Sequence, residues 1–308
     1  MSRAVVFAYN DVGVRCLSVL LAHGMEIPLV VTHQDDPNET VWFDSVAELA
    51  DLHELPTITP DNPNTPEVIE SVRAARPDFL FSFYYRHMLG AELLEIPSRG
   101  AYNMHGSLLP DYRGRVPVNW TVLRGEPRTG ASLHRMVAKP DAGDLVAQQA
   151  VPILPNDTAV TVFRKVTCAA ECCLTEVLPA LDEGRAKHVP LDLAAGSYFG
   201  RRRPEDGRID WSQSAWTVHN LIRAVAPPFP GAFFDQEGRH VCVLSSHFRS
   251  EDARAEGPRL YVESGRIFAD AADGVRFQIL ALTVDGREVT AENFTDVWGA
   301  PAVALPAS

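Results

Sequence analysis

The sequence contains very few lysines, and this shortage argues against one class of partner. Lys139, Lys165 and Lys187 are the only three lysines, and 28 basic residues stand against 40 acidic residues, for a net charge of −12. The segment 204–308 contains nine Arg and no Lys, against fifteen Asp or Glu. Proteins that bind nucleic acid over a broad surface need clustered Lys and Arg. We therefore expect no nucleic acid among the partners.

Cysteine is also scarce. The chain has five cysteines, an odd number without the Cys-x-x-Cys spacing of common metal sites. Two of them, Cys168 and Cys172, lie one turn apart among the apolar residues of a predicted helix. This setting is typical of small buried side chains in a reducing compartment. We predict no disulfide and no metal site. The complete set is Cys16, Cys168, Cys172, Cys173 and Cys242.

Long apolar runs and glycine-rich loops are missing as well. No run approaches the roughly 18 apolar residues that a membrane span needs, and the segment before Asn10 is too short for the core of a signal peptide. The loop Asn10–Gly13 follows the first predicted strand and lacks the three-glycine dinucleotide fingerprint. We expect a cytoplasmic protein that does not insert into membranes and does not bind NAD.

Apolar and amphipathic segments alternate in the first half of the sequence, as in a Rossmann-like, mostly parallel sheet covered by helices. After the break at Pro227–Gly231, short apolar stretches alternate with Asp-Gly, Glu-Gly and Ser-Gly pairs, which is typical of a small antiparallel barrel. The predicted fold class is therefore α/β with a second, all-β domain. Strands are predicted at 4–9, 27–32, 57–58, 79–83, 101–105, 241–244, 260–263, 266–269 and 275–284. Helices are predicted at 12–23, 45–53, 66–75, 157–184 and 215–225. The predicted boundaries are 1–190 for the first domain, 191–206 for a linker, 207–300 for the barrel and 301–308 for a loose tail.

An amide and an imidazole stand two residues apart at the end of one predicted strand. Asn103 and His105 point to the same side of that strand, because side chains alternate in direction. An amide can donate to an oxyanion while an imidazole moves a proton. Asp141 follows in an acidic loop and can supply a carboxylate that raises the pKa of the imidazole. The three residue types together indicate transfer of a small acyl group.

The sequence motifs around these residues indicate which acyl group is transferred. The run Asn103-x-His105-x-Ser-Leu-Leu-Pro-x-x-Arg113-Gly114, followed by Pro-Asp141-Ala-Gly-Asp, resembles the signature of formyltransferases that use 10-formyltetrahydrofolate. The resemblance implies that Asn103, His105 and Asp141 are catalytic. It also implies a Rossmann-like domain followed by an oligonucleotide-binding-like (OB-like) barrel, with the folate as cosubstrate and no metal. Folate contacts implied by the resemblance are His87, Met88, Leu89, Arg115, Val137, Ala138, Lys139, Pro140 and Asp141.

The resemblance covers nearly the whole chain, including the motifs 81–87 and 197–204, and it points to family members that act on a UDP-linked amino sugar. It implies the 4-amino group of UDP-4-amino-4-deoxy-L-arabinose as the acceptor, in lipid A modification and polymyxin resistance. Some relatives carry a decarboxylase unit after the transferase, and we expect neither that activity nor its NAD here. A diphosphate needs a few well-placed arginines. Candidate acceptor contacts are Asn119, Trp120, Arg201, Arg202 and Arg203.

Three alternatives stay open at this point. Another nucleotide-linked amino sugar, such as a dTDP sugar, requires only a few different contacts. Methionyl-tRNA formyltransferase shares the motif and the folate donor, although the acidic barrel region argues against a tRNA acceptor. A binding module without turnover is disfavoured by the complete set of Asn103, His105 and Asp141. The sequence does not determine the oligomeric state, and a homo-oligomer is compatible with it.

Overall fold

Two seven-stranded β-sheets and one two-stranded sheet, β6 with β9, organise the chain in a computed structural model of the protein, which describes residues 1–37, 40–252 and 257–306. The strands are β1 Arg3–Ala8, β2 Glu26–Val31, β3 Thr57–Ile58, β4 Phe79–Phe83, β5 Ala101–His105, β6 Arg113–Gly114, β7 Arg128–Arg135, β8 Leu145–Pro152, β9 Tyr198–Phe199, β10 Ala232–Gln236, β11 Arg239–Asp252, β12 Arg259–Glu263, β13 Arg266–Asp270, β14 Val275–Val284, β15 Arg287–Val289 and β16 Ala302–Ala304. The helices are α1 Asn10–Ala22, α2 Val46–Leu52, α3 Pro66–Ala74, α4 Ala91–Glu95, α5 Pro117–Leu123, α6 Ala159–Asp182, α7 Ala215–Ala224 and α8 Phe294–Trp298, with one 3₁₀ turn at Pro204–Gly207.

The first sheet has seven strands in the order β3-β2-β1-β4-β5-β7-β8. β3, β2, β1, β4 and β5 pair in parallel, and β7 joins β5 antiparallel. Every residue of β4 is buried, as expected for a central parallel strand that is covered on both faces. In such sheets ligands bind beyond the carboxyl ends of the strands, which is where the loops after β4 and β5 emerge. The prediction of a Rossmann-like, mostly parallel sheet is confirmed.

The second sheet is a curled antiparallel half-barrel with strand order β10-β11-β14-β13-β12-β16, and β15 pairs with β14. Asp285 and Gly286 connect β14 and β15 and both have positive φ, which gives the tight two-residue hairpin that an Asp-Gly pair favours. The hydrophobic core of the second, all-β domain includes the fully buried rings of Trp211, Phe234 and Phe277. The prediction of a small all-β domain after an α/β domain is confirmed.

Several local predictions need correction. The segments that form β7 and β8 were not predicted as strands, because β7 buries polar residues and β8 has no run of consecutive buried residues. The expectation of a loose tail is wrong for Ala302–Ala304, which pairs with β12, whereas residues 307 and 308 lie outside the described residues. Cys168 and Cys172 were expected to be buried, but both are exposed, because they occupy an outward face of α6.

The described chain divides into two compact units. The first consists of Met1–Pro117, Arg128–Val151 and Arg164–Gly200, and the second of Val118–Pro127, Pro152–Phe163 and Arg201–Ser308. The chain therefore passes between the units more than once. None of the described helices is long and apolar enough to cross a membrane. Among the described residues, no group of three or more His, Cys, Asp or Glu has the arrangement of a metal site.

Candidate active site

β5 places Asn103 and His105 on one face of the first sheet, because side chains two residues apart along a strand point the same way. His105 is 6% exposed, and its Nε2 lies 2.9 Å from the carbonyl oxygen of Tyr112. A carbonyl oxygen only accepts hydrogen bonds, so Nε2 donates. In the neutral ring, Nδ1 is then the nitrogen that is free to accept a proton.

The loop after β7 carries Asp141 back to β5. The backbone N–H of Arg135 donates to the carbonyl of Asp144 at 2.9 Å and closes the loop. Glycine is required at position 143, because a Cβ on Gly143 would lie 2.0 Å from the Arg135 carbonyl oxygen. Asp141 itself adopts the left-handed conformation, with φ 49°. Its Oδ1 lies 3.6 Å from Nδ1 of His105, so the predicted carboxylate reaches the predicted imidazole.

A second histidine, which the sequence interpretation missed, completes this cluster. His134 on β7 lies directly opposite Asn103 in the antiparallel register and is 2% exposed. Its Nε2 lies 3.1 Å from Nδ2 of Asn103 and 3.5 Å from Oδ1 of Asp141, and its Nδ1 lies 2.9 Å from the Arg135 carbonyl oxygen. His134 therefore connects Asn103 to Asp141. Only the pairing of β5 with β7 could have signalled this residue, and β7 was not predicted.

Burial and charge act in opposite directions on the two titratable groups of the predicted set. Burial lowers the pKa of His105 below its ordinary 6.5, and the Asp141 carboxylate and the Tyr112 carbonyl raise it only in part. Asp141 was expected to raise the pKa of His105, but burial outweighs that effect. Burial alone would raise the pKa of Asp141, but the two facing imidazoles and the Gly114 N–H, which donates to Oδ2, hold it well below 3.8. At neutral pH, His105 is therefore a neutral base beside an ionised carboxylate.

The turn that follows β5 is held by one fully buried hydroxyl. Ser132 Oγ donates to the carbonyl of Ser107 at 2.6 Å and accepts from the N–H of Leu109 at 3.1 Å. It also accepts from Nε2 of Gln148 at 2.8 Å. Ser132 faces His105 across the β5–β7 pair. This network fixes the backbone directly beyond the imidazole.

The residues expected to contact folate lie on loops of the first unit. His87 and Met88 follow β4 and are exposed. Leu89 is 8% exposed and packs into the core, so its side chain offers little surface to a ligand. Met88 and Val137 are large apolar side chains that are about half exposed, a combination suited to an aromatic ligand. The remaining expected contacts are exposed or half-buried: Arg115, Ala138, Lys139 and Pro140.

The residues expected to contact the acceptor lie in the second unit. Nδ2 of Asn119 donates to the carbonyl of Ala224 at 2.8 Å, so this amide is already held by the backbone. The guanidinium of Arg202 lies 5.4 Å from the centroid of the Trp120 ring, and its Nη2 donates to the carbonyl of Asp206 at 2.8 Å. Arg202 is half-buried by these contacts. The exposed members of the set are Arg201 and Arg203.

Comparisons with known proteins agree with this architecture. Residues 14–178 match the family model described as formyl transferase, and residues 202–296 match the model of the formyl transferase C-terminal domain. The N-formyltransferase from Helicobacter canadensis, solved with folinic acid and dTDP-3-aminofucose, aligns at 18% identity over 94% of this chain and all of its own, with a TM-score of 0.72.

Two further solved structures show the same fold. A 4-N formyltransferase from Francisella tularensis aligns at 18% identity over 77% of this chain and 93% of its own, with a TM-score of 0.62. HypX from Aquifex aeolicus, solved with tetrahydrofolic acid, aligns at 20% identity over 99% of this chain and 46% of its own, with a TM-score of 0.60. At such identities the likeness concerns the fold.

Proposed function

Because the chain belongs to the formyl transferase family, we propose that it transfers the formyl group of 10-formyltetrahydrofolate to the amine of a nucleotide-linked sugar. The convergence of Asn103, His105 and Asp141 at the end of β5 is the observation that carries the proposal. The finer proposal for the acceptor is the 4-amino group of UDP-4-amino-4-deoxy-L-arabinose, whose formylation serves lipid A modification and polymyxin resistance.

The geometry of the cluster supplies the two functions that formyl transfer to an amine needs. Attack of the amine on the formyl carbon forms a tetrahedral centre with a developing oxyanion and a nitrogen that must lose a proton. The Asn103 amide is the donor for the oxyanion. His105 is neutral at pH 7 and accepts the proton at Nδ1, where the Asp141 carboxylate 3.6 Å away stabilises the resulting imidazolium. The same proton then passes to the folate nitrogen as the bond to the formyl carbon breaks.

The folate proposal rests on the family and on the exposed apolar residues near the cluster. The relatives from H. canadensis and A. aeolicus were solved with folinic acid and tetrahydrofolic acid, respectively. In this chain, the exposed side chains of Met88 and Val137 can cover the faces of a pterin ring, while the backbone of the 137–141 loop can bond its edge. We propose the folate contacts of the sequence analysis for this role, with Leu89 contributing its backbone.

The identity of the acceptor rests on different observations. The resemblance over nearly the whole chain favours a UDP-linked 4-amino sugar, and exposed Arg201 and Arg203 are available to its diphosphate. A dTDP-linked amino sugar is the second candidate, because the H. canadensis relative was solved with one. A tRNA acceptor is disfavoured by the net charge of −12 and the three lysines.

The test is an acceptor panel read by mass spectrometry. Purified protein is incubated with 10-formyltetrahydrofolate and, separately, with UDP-4-amino-4-deoxy-L-arabinose, a dTDP-4-amino sugar and methionyl initiator tRNA. We expect one added formyl group on the UDP sugar alone. Formylation of the dTDP sugar would retain the reaction and change the acceptor. Formylation of the tRNA, or of no acceptor at all, would overturn the proposed function.

A further inference from the structure

The hydrogen bonds of His134 determine which of its nitrogens carries a hydrogen. Nδ1 lies 2.9 Å from the carbonyl oxygen of Arg135, which only accepts, so Nδ1 donates. In the neutral ring, Nε2 is then an acceptor. Among the described residues, Nε2 faces Nδ2 of Asn103 at 3.1 Å, which can donate to it, and Oδ1 of the Asp141 carboxylate at 3.5 Å, which cannot. The contact therefore runs from the Asn103 amide to the imidazole.

This contact fixes the orientation of the Asn103 carboxamide. An amide that rotated by 180° would present its carbonyl oxygen to the lone pair of His134 Nε2, which is repulsive. With Nδ2 bound to His134, one N–H of Asn103 remains for a second acceptor. An oxyanion requires such a donor, and preorganisation of the donor before the reaction is what makes it effective.

We propose that His134 is a positioning residue that holds the Asn103 amide with its free N–H available to the developing oxyanion. The inference rests on the proposed function, because it assigns a role within that reaction. His134 is suited to the task, since it sits opposite Asn103 in the strand register, is 2% exposed and is tied to the backbone through Nδ1. A buried side chain with one fixed nitrogen has little freedom to turn away.

The first test is a double-mutant cycle in formyl transfer. His134→Leu removes the acceptor, whereas His134→Gln retains an amide oxygen that can accept from Asn103. We expect His134→Leu to lower kcat by about tenfold or more with little change in either KM, and His134→Gln to recover part of the loss. In the Asn103→Ala background, the same substitutions should change kcat by less than about threefold, because the residue through which His134 acts is gone.

Equal losses in both backgrounds would overturn the proposal, since His134 would then act through Asp141 or through stability. Full activity of His134→Leu would overturn it as well. A protein whose wild type formylates no acceptor would instead refute the proposed function, so the two failures are distinguishable. If His134→Leu does not fold, His134→Gln completes the cycle. His219→Leu is the matched control, because His219 is equally buried but lies in the second unit.

A second measurement does not depend on turnover. Long-range ¹H–¹⁵N spectra of histidine-labelled protein report which ring nitrogen carries the hydrogen. We expect the neutral His134 ring to carry its hydrogen on Nδ1. A hydrogen on Nε2 at neutral pH, in the neutral or in the charged ring, would contradict the proposed contact with Asn103 and overturn the inference.

Discussion

Each unit of the molecule buries a histidine among polar groups, His105 in the first and His219 in the second, and the nitrogens of these two residues have different partners. In the second unit, His219 is fully buried, with Nδ1 2.8 Å from the hydroxyl of Ser246 and Nε2 3.0 Å from the Pro155 carbonyl. Both nitrogens are therefore occupied. In the first unit, Nδ1 of His105 faces a carboxylate at 3.6 Å, beyond hydrogen-bond distance. Nδ1 of His105 can therefore still accept a proton, and a group that takes part in acid–base chemistry must be able to gain or lose one.

A buried cation in the second unit extends the contrast. Arg223 is 3% exposed, donating through Nη1 to the Asp157 carbonyl and through Nε to the Asn220 amide oxygen, both at 2.8 Å. Burial lowers the pKa of Arg223 to about 10, and the Asp157 charge opposes that shift. Nη2 of Arg223 also donates to the carbonyl of Val122 at 3.4 Å, so the guanidinium connects the segments 118–127 and 152–163 to α7 within one unit. We therefore expect the buried polar residues around Arg223 and His219 to stabilise the fold, and the cluster of Asn103, His105 and Asp141 to serve turnover.

The largest effect should come from Asn103→Ala. Loss of one oxyanion donor typically lowers the rate by about a hundred- to a thousandfold. Because Asn103 is only half-buried at the centre of β5, its truncation should leave the folded structure intact. The measurement is kcat for formyl transfer together with the melting temperature. Asn220→Ala is the control, since the Asn220 amide oxygen accepts from Arg223 within the second unit. Near-normal turnover of Asn103→Ala would contradict the assigned role.

Arg223→Met should affect stability strongly and turnover little. The substitution leaves the carbonyl oxygen of Asp157 and the amide oxygen of Asn220 without the guanidinium donor that they now share. Loss of a buried, charge-assisted network of this kind costs about 2 to 4 kcal/mol. Urea denaturation measures the free energy of unfolding. Arg208→Met provides the comparison, because the Arg208–Asp235 pair is exposed to solvent and should contribute little to the free energy of unfolding. An equal loss of unfolding free energy in Arg223→Met and Arg208→Met would contradict the proposed difference between the buried and the exposed arginine.

Acid should destabilise the second unit through His219. Burial lowers the pKa of His219 from 6.5 to about 4. His219 is therefore protonated below about pH 6.5 in the unfolded chain, but only below about pH 4 in the folded chain. Stability consequently falls as the pH decreases across this window, by about 3 kcal/mol in total. The free energy of unfolding, measured between pH 4 and 7.5, should slope less in His219→Gln. Parallel slopes for wild type and variant would show that another group dominates.

The sequence predicted the elements whose physical cause is local. Residues 79–83, 101–105 and 275–284 form strands with the predicted bounds, because continuous apolar runs or alternation and adjacent turn residues define them. Asn103 and His105 shared a face for the same reason. His134 could not be found, because its role depends on the register between β5 and β7, which are separated in the chain by residues 106–127. The buried state of Leu89 and the exposed state of Cys168 depended in the same way on packing between distant segments.

Ser132→Ala tests whether a buried polar residue of the first unit stabilises the fold or contributes to turnover. We expect it to give the smallest effect of these variants. Ser132 lies in the first unit and faces His105 across the strand pair, yet its hydroxyl makes three hydrogen bonds and has no spare capacity. By the argument from the second unit, it should therefore contribute to stability, at about 1 to 2 kcal/mol. Its effect on kcat should be smaller than that of Asn103→Ala, because the hydroxyl supports the backbone at Ser107 and Leu109 without facing the reacting atoms. Unfolding free energy and kcat, measured on the same preparation, separate the two roles. A loss of turnover as large as that of Asn103→Ala, at unchanged stability, would show that satisfied hydrogen bonds do not identify structural residues in this unit.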